Sequence, residues 1–231
     1  MAEPLLLVPG LMCDARLFAP QLAALSAGRT VIVPDVSGAD TIAALAAAVL
    51  ADAPPSFALA GLSMGGIVAM EMARQAPERV RRLALLDTDP RADSEGVRAM
   101  RARQIAEVEA GGLDAVLRRD VEPVLLHRES AREDVLEVMR AMAGDLGPEV
   151  FVRQSRALAS RDGQEETLRA RRGPTLVLCG EDDRLCPVKR HTLMHELVAG
   201  STLEIVPGAG HLPTLETPEA VNAALARWLA A

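Results

Sequence analysis

Short apolar runs alternate along this chain with longer stretches in which apolar residues recur at helical spacing. Leu5–Val8 reads as a strand and 17–25 as a helix; 30–33 is a second strand, and 41–50 a helix opened by Asp40. Phe57–Leu62 is strand-like, 67–76 is a helix carrying apolar Ile67, Val68, Met70 and Ala73, and 82–86 is a strand again. Much later, 175–178 and 203–206 repeat the strand signal, with helix-like 188–198 between them and 218–229 after them. Strands this uniformly apolar are buried on both faces, so the pattern predicts an α/β fold: a mostly parallel sheet of about six strands with helices on each side. Chemistry in such a sheet belongs in the loops at the carboxyl ends of the strands.

One segment breaks the alternation. Residues 91–172 contain no strand signal and read as charged amphipathic helices interrupted at Gly111-Gly112, Pro123, Gly144 and Gly147-Pro148. The expected organisation is a core of 1–90 and 173–231 with 91–172 inserted as a helical cap. The insertion's 15 arginines are matched by 16 acidic residues, so most are expected on solvated helix faces. His127, Gln154, Arg156 and Arg161 are the polar residues expected to turn toward a cleft.

Composition narrows the classes. A chain of 231 residues, 49% of them hydrophobic, can bury one sizeable core. A formal charge of -7 with no basic stripe argues against nucleic acid as a partner. No apolar run reaches the ~18 residues of a membrane span, and the first residues lack the basic flank of a signal peptide, so no membrane association and a cytoplasmic location are expected. Cys13, Cys179 and Cys186 are odd in number and match no zinc spacing, which suits reduced core thiols and no bound metal. His191 and His195 lie four apart on a predicted helix with no accompanying ligand pattern and read as solvated positions.

The chemistry concentrates where the strand 57–62 meets the next helix, in Gly61-Leu62-Ser63-Met64-Gly65. A Gly-x-Ser-x-Gly turn lifts the serine oxygen above the sheet through a bend that tolerates no Cβ on either flank, and the following helix offers N–H groups to negative charge. A serine hydroxyl needs a base, best an imidazole steadied by a carboxylate. His211 lies in a glycine-rich loop after the last strand, and Asp182 and Asp183 lie in the loop after the strand before it. Asp87 and Asp89 offer a second location for the acid. Met12, Phe18, Met64 and Leu212 are expected to line an apolar pocket.

Together these residues resemble the alpha/beta-hydrolase superfamily, and more closely its small cap-bearing esterases and 3-oxoadipate enol-lactonases. The likeness rests on Gly61 to Gly66, on Ala76-Pro77-Glu78-Arg79-Val80 leading into 83–88, on the Gly-x-x-Asp-x-x-x-Pro run ending at Pro187, and on Gly210-His211-Leu212 followed by Glu216 and Pro218. The resemblance implies a catalytic Ser63, His211 and Asp183, an oxyanion hole from the N–H groups of Leu11 and Met64, and no metal or organic cofactor. Met12, Arg156, Arg161 and Leu212 are the expected substrate contacts, and the expected substrate is a small ester, lactone or thioester. Pro9-Gly10 stands where such proteins commonly have His-Gly, and Leu5 lies too early for the N-terminal hairpin of larger relatives. The same scaffold resembles C–C bond hydrolases, a lyase and non-enzymatic ligand-binding proteins, which are the alternatives.

Overall fold

The computed structural model describes residues 2–130 and 132–231. Its centre is one six-stranded, wholly parallel sheet in the order β2-β1-β3-β4-β5-β6, where β1 is Leu5–Val8, β2 Val31–Ile32, β3 Phe57–Leu62, β4 Val80–Leu86, β5 Thr175–Gly180 and β6 Thr202–Val206. Every residue of β1, β3 and β5 is buried, as their almost wholly apolar sequences demand. The edge strands are wetter. β2 is two residues long, not the expected four: Thr30 before it still accepts the Leu5 N–H at 2.9 Å, while Pro34 beyond it has no N–H for the ladder; β6 leaves Ile205 exposed.

Helices cover both faces. Ala19–Leu25 (α1) and, at the chain's end, Pro218–Ala230 pack together on one side, while Ile42–Asp52 (α2) and Met64–Gln75 (α3) pack together on the other. Thr41, not Asp40, caps α2, its Oγ1 accepting the Ala44 N–H at 3.2 Å. Between β4 and β5 the described residues form helices and no strand: Glu95–Glu109 (α4), Leu113–Val116 (α5), continued by the π-helical turn Leu117–Val121 into Glu122–Leu125 (α6), then Glu133–Leu146 (α7), Pro148–Ala159 (α8) and Glu165–Ala170 (α9). These helices are not uniformly peripheral. α9 packs on α3, and Ala157, Leu158 and Leu168 join the apolar cluster beneath β1, β3 and β4, so the last part of the insertion is continuous with the core. Val188–Leu197 (α10), Pro213–Glu216 (α11) and Pro218–Ala230 (α12) complete the chain. Among the described residues no helix is long and apolar enough to cross a membrane.

The order of the strands fixes where a ligand can sit. From β1 the chain steps outward to β2 and then returns to the other side as β3, so the crevice between the carboxyl ends of β1 and β3 is the topological switch point. Leu11 follows β1 and Ser63 follows β3.

Candidate active site

Ser63 sits between β3 and α3 with φ 57° and ψ -119°, a conformation that costs a non-glycine residue roughly 1–3 kcal/mol. The neighbouring glycines make it attainable. A Cβ on Gly61 would lie 2.2 Å from the Gly65 carbonyl oxygen, and one on Gly65 would lie 2.0 Å from that of Val8, so α3 can approach the strands only without side chains there. The Ser63 N–H donates to Leu86 O at 2.9 Å, and the Thr88 hydroxyl donates to Ser63 O at 2.7 Å. Only two other described non-glycine residues, Met12 (φ 57°) and Asp87 (φ 45°), have positive φ, and each lies in a loop at the same end of the sheet.

A continuous hydrogen-bond chain starts at the serine. His211 Nε2 is 2.9 Å from Ser63 Oγ, and Nδ1 is 2.9 Å from Asp183 Oδ2. The other Asp183 oxygen accepts the N–H groups of Leu185 (2.9 Å) and Cys186 (2.8 Å). Burial alone would push this carboxyl up, but the His211 charge, the His211 hydrogen bond and the Cys186 N–H outweigh it and hold Asp183 far below the usual carboxylate range. Asp183 is therefore ionised and aimed at the imidazole.

Its sequence neighbour does something else. Asp182 pairs with the Arg128 guanidinium and accepts the Arg128 N–H at 2.8 Å, tying the inserted helices to the core. Asp89 pairs with Arg91 and Arg190, and Asp87 makes no bond to His211. The loop bearing His211 is fastened by a residue that sequence reading gave no such task. Glu216, on α11, accepts the N–H groups of Gly210 (3.0 Å), Leu212 (3.1 Å) and His127 (2.8 Å), while the His211 N–H donates to Leu125 O at 2.7 Å.

These groups open on a cavity of about 710 Å³. Leu11, Ser63, Met64 and His211 line it. The Met64 N–H is the first of α3, one of those a helix leaves unpaired, and among the described residues the Leu11 N–H has no hydrogen-bond partner. Arg161 lines the cavity too, its side chain only 6% exposed, with Asp93 Oδ1 at 2.7 Å and its Nε donating to Arg91 O at 3.0 Å. Arg101 shares Asp93 at 2.7 Å.

Several expected contacts fall elsewhere. Arg156 is outside the lining, because Val150, Phe151, Gln154, Ala157 and Leu158 form the inward face of α8 and leave it in solvent, paired with Glu109 at 2.8 Å. Met12, Phe18 and Leu212 are packed in the apolar core, not on the cavity wall. Gln154 is buried but turns away from the cavity, its Oε1 accepting the Met12 N–H (2.9 Å) and its Nε2 donating to Val36 O (3.1 Å). His127 contributes its backbone to the Glu216 knot. His191 is fully buried, not solvated, since Val188, His191 and Met194 share the face of α10 that meets the sheet; its Nε2 accepts the Thr88 N–H at 3.1 Å. Cys13 and Cys179 are buried and Cys186 lines the cavity, all three as free thiols.

Among the described residues, Asp183, Cys186 and His211 are the groups whose ligand atoms gather within 4.8 Å. Both histidine nitrogens and both carboxylate oxygens there already hold hydrogen-bond partners. A cation could enter only by breaking the chain from Ser63 to Asp183.

Residues 5–224 match the alpha/beta hydrolase family. The chain belongs to that family. A thermophilic esterase of Thermogutta terrifontis, solved with malate bound, is 31% identical, superposes with a TM-score of 0.92 and aligns over 99% of this hydrolase and 90% of that chain. RutD of Azorhizobium caulinodans, named as a putative carbamate hydrolase, is 28% identical over 95% of this chain and 88% of its own length. An enol-lactonase of Burkholderia xenovorans shares the fold with a TM-score of 0.90 at 24% identity, over 100% of this chain and 92% of that one.

Proposed function

We propose that this hydrolase cleaves small carboxylic esters, lactones or thioesters through an acyl-enzyme formed on Ser63. The observation that carries this reading is the unbroken chain Ser63–His211–Asp183, two links of 2.9 Å, beside two free N–H groups on the same cavity. Ser63 Oγ attacks the carbonyl carbon as its proton passes to His211 Nε2. The carbonyl oxygen becomes an oxyanion held by the N–H groups of Leu11 and Met64, each such donor lowering the barrier by roughly 3–4 kcal/mol. Collapse expels the alcohol or thiol, which takes the proton from His211. Water, deprotonated by the same imidazole, then attacks the acyl-enzyme, and the acid leaves. Asp183 holds Nδ1 protonated and stabilises the imidazolium in both halves. Residues 91–172 act as a cap over this site.

The preferred substrates carry a negative charge. Six cations, Arg91, Arg101, Arg161, Arg184, Lys189 and Arg190, line the cavity against three carboxylates, Asp89, Asp93 and Asp120, in a protein whose net charge is -7. Asp93 is shared by two arginines and Asp89 by two others, so each cluster keeps a surplus positive charge that an anion can neutralise. The malate bound to the esterase relative fits this class.

The test is steady-state hydrolysis of p-nitrophenyl acetate, butyrate and octanoate and of the mono-p-nitrophenyl ester of succinate, by the wild type and by Ser63→Ala. Turnover lost in the variant and a kcat/KM favouring the succinate ester are expected. Full activity in Ser63→Ala would sink the acyl-enzyme, and equal rates for butyrate and succinate esters would sink the anionic preference.

A further inference from the structure

A second aspartate lies directly behind the proposed triad, and it has no task in the mechanism above. Asp87, at the end of β4, is fully buried and held at φ 45°, in the left-handed region that a residue with a Cβ rarely occupies. Its Oδ1 accepts the Gly180 N–H at 2.9 Å. Its Oδ2 is shut off from solvent and has no donor among the described residues. Asp183 is its neighbour: Gly180, whose N–H Asp87 accepts, in turn accepts the Asp183 N–H at 3.3 Å, and the two carboxyl groups act directly on one another.

Two carboxylates in contact in a dry site do not both ionise. The surroundings decide which one keeps the proton. Asp183 faces His211 and accepts two backbone N–H groups, whereas Asp87 accepts one. Among the described residues, the charges that act most strongly on Asp87 are those of Asp183 and Glu216, both negative. His191 on α10 accepts a hydrogen bond from Thr88, and burial holds it down at about 4, so it is neutral at pH 7. Cys179 on β5 and Cys186 in the loop after it are pushed well up by burial and are neutral thiols. Glu216 adds a further carboxyl, and Asp89 is occupied by Arg91 and Arg190.

We propose that Asp87 is a positioning residue: as a neutral carboxylic acid it donates a hydrogen bond from Oδ2–H to the Asp183 carboxylate and fixes it against His211. Burial first, and the Asp183 charge second, push Asp87 well above the ordinary carboxylate range, in agreement. The arrangement gives Asp183 a fourth donor, which steadies its direction while leaving its charge in place. The consequence for the proposed hydrolysis rests on that reading of Ser63, His211 and Asp183; the protonation of Asp87 does not.

The experiment compares wild type with Asp87→Asn and Asp87→Leu. Asparagine presents the same shape, an acceptor for Gly180 and a donor for Asp183. It is expected to lower kcat/KM by no more than about threefold, while leucine, which removes a hydrogen bond to a charged group, lowers it roughly 10–100-fold. The acid limb of the pH profile of kcat/KM carries the discrimination, because it follows protonation of the imidazole. With a neutral Asp87, asparagine leaves that limb in place. Were Asp87 ionised, asparagine would remove a negative charge near the imidazole and move the limb down by about one pH unit. A second readout needs no turnover: the infrared difference between wild type and Asp87→Asn at pH 7 is expected to show a protonated carboxyl C=O band. A downward shift of the limb, a missing band, or an asparagine variant as slow as the leucine one overturns the proposal. The band decides the matter even if Asp87→Leu does not fold, or if Ser63→Ala proves active and the acyl-enzyme reading falls.

Discussion

Replacing Gln154 with alanine separates what the inserted helices do for stability from what they do for catalysis. Gln154 is 1% exposed, and its amide joins α8 to two loops of the sheet: it accepts from the Met12 N–H at 2.9 Å and donates to Val36 O at 3.1 Å. Alanine leaves both backbone groups without partners in a buried place. At roughly 1–3 kcal/mol for each unsatisfied group, the loss is about 2–6 kcal/mol, reduced if water enters the gap. For a domain of this size each kcal/mol is worth about 2–4 °C, so Tm should fall by roughly 4–24 °C, toward the lower end where water enters. The kinetic effect follows from position. Met12 is held at φ 57° immediately after Leu11, whose N–H is one of the two proposed oxyanion donors. Gln154 holds the Leu11–Met12 peptide, and freeing it loosens Leu11 and with it the adjoining Gly10–Leu11 peptide that carries the donor; losing one such donor outright costs about 10²–10³ in kcat. A loosened donor is lost only part of the time, so kcat is expected to drop about 10–100-fold with KM within about threefold. The assay is kcat and KM on p-nitrophenyl esters at a temperature at least 15 °C below the variant's own midpoint, with thermal unfolding alongside. A Tm that falls as expected while kcat stays at the wild-type value would refute the link from α8 to the oxyanion donor.

Asp183→Asn should lower kcat by about 10⁴ with little change in Tm or KM, since it forces the wrong imidazole tautomer; a loss under tenfold would mean that another carboxylate serves His211. Gly65→Ala places a Cβ 2.0 Å from Val8 O and must push α3 off β1, so a stability loss of about 1–3 kcal/mol and at least a 100-fold loss of kcat/KM are expected, read by urea unfolding and ester turnover. Arg161→Met should raise KM for the succinate ester about tenfold or more while leaving the butyrate ester within about twofold; equal effects on both would place the anion elsewhere. The pH dependence of folding has a defined sign at Asp87. A carboxyl raised in the folded state contributes stability that is fully present below its unfolded value of about 3.9 and is lost as pH rises toward the folded one, at up to about 1.4 kcal/mol per unit. The urea midpoint of Asp87→Asn should therefore gain on wild type between pH 5 and pH 7, and a constant gap would contradict the raised value.

How much of this was legible in the sequence depended on how far apart the interacting residues lie along it. The sheet could be read because each strand states its own burial, and the Gly-x-Ser-x-Gly turn because Gly61, Ser63 and Gly65 sit within five residues and the constraint that relates them is local: a Cβ at either glycine strikes backbone. Strand order and loop position likewise brought His211 into view. Between Asp182 and Asp183 the residue types alone do not choose; the Gly-x-x-Asp register, read through the family resemblance, favours Asp183, and the physical reason is the turn that points one to His211 and the other to Arg128. The insertion was least legible. Gln154 meets Met12 across 142 residues, and Arg128 meets Asp182 across 54, so no window along the chain contains both partners. His191 is the instructive miss. It lies three residues after Val188 and three before Met194, an apolar helical spacing visible in the sequence, and that pattern outranked the i, i+4 relation to His195 that suggested a solvated pair. Asp87 carries the same lesson into the chemistry. A carboxylate after a buried strand reads as a candidate acid, yet its protonation is set by burial and by Asp183, more than ninety residues away, and a charge read from composition becomes a proton donor only once the fold has taken it out of water and set a second carboxylate beside it.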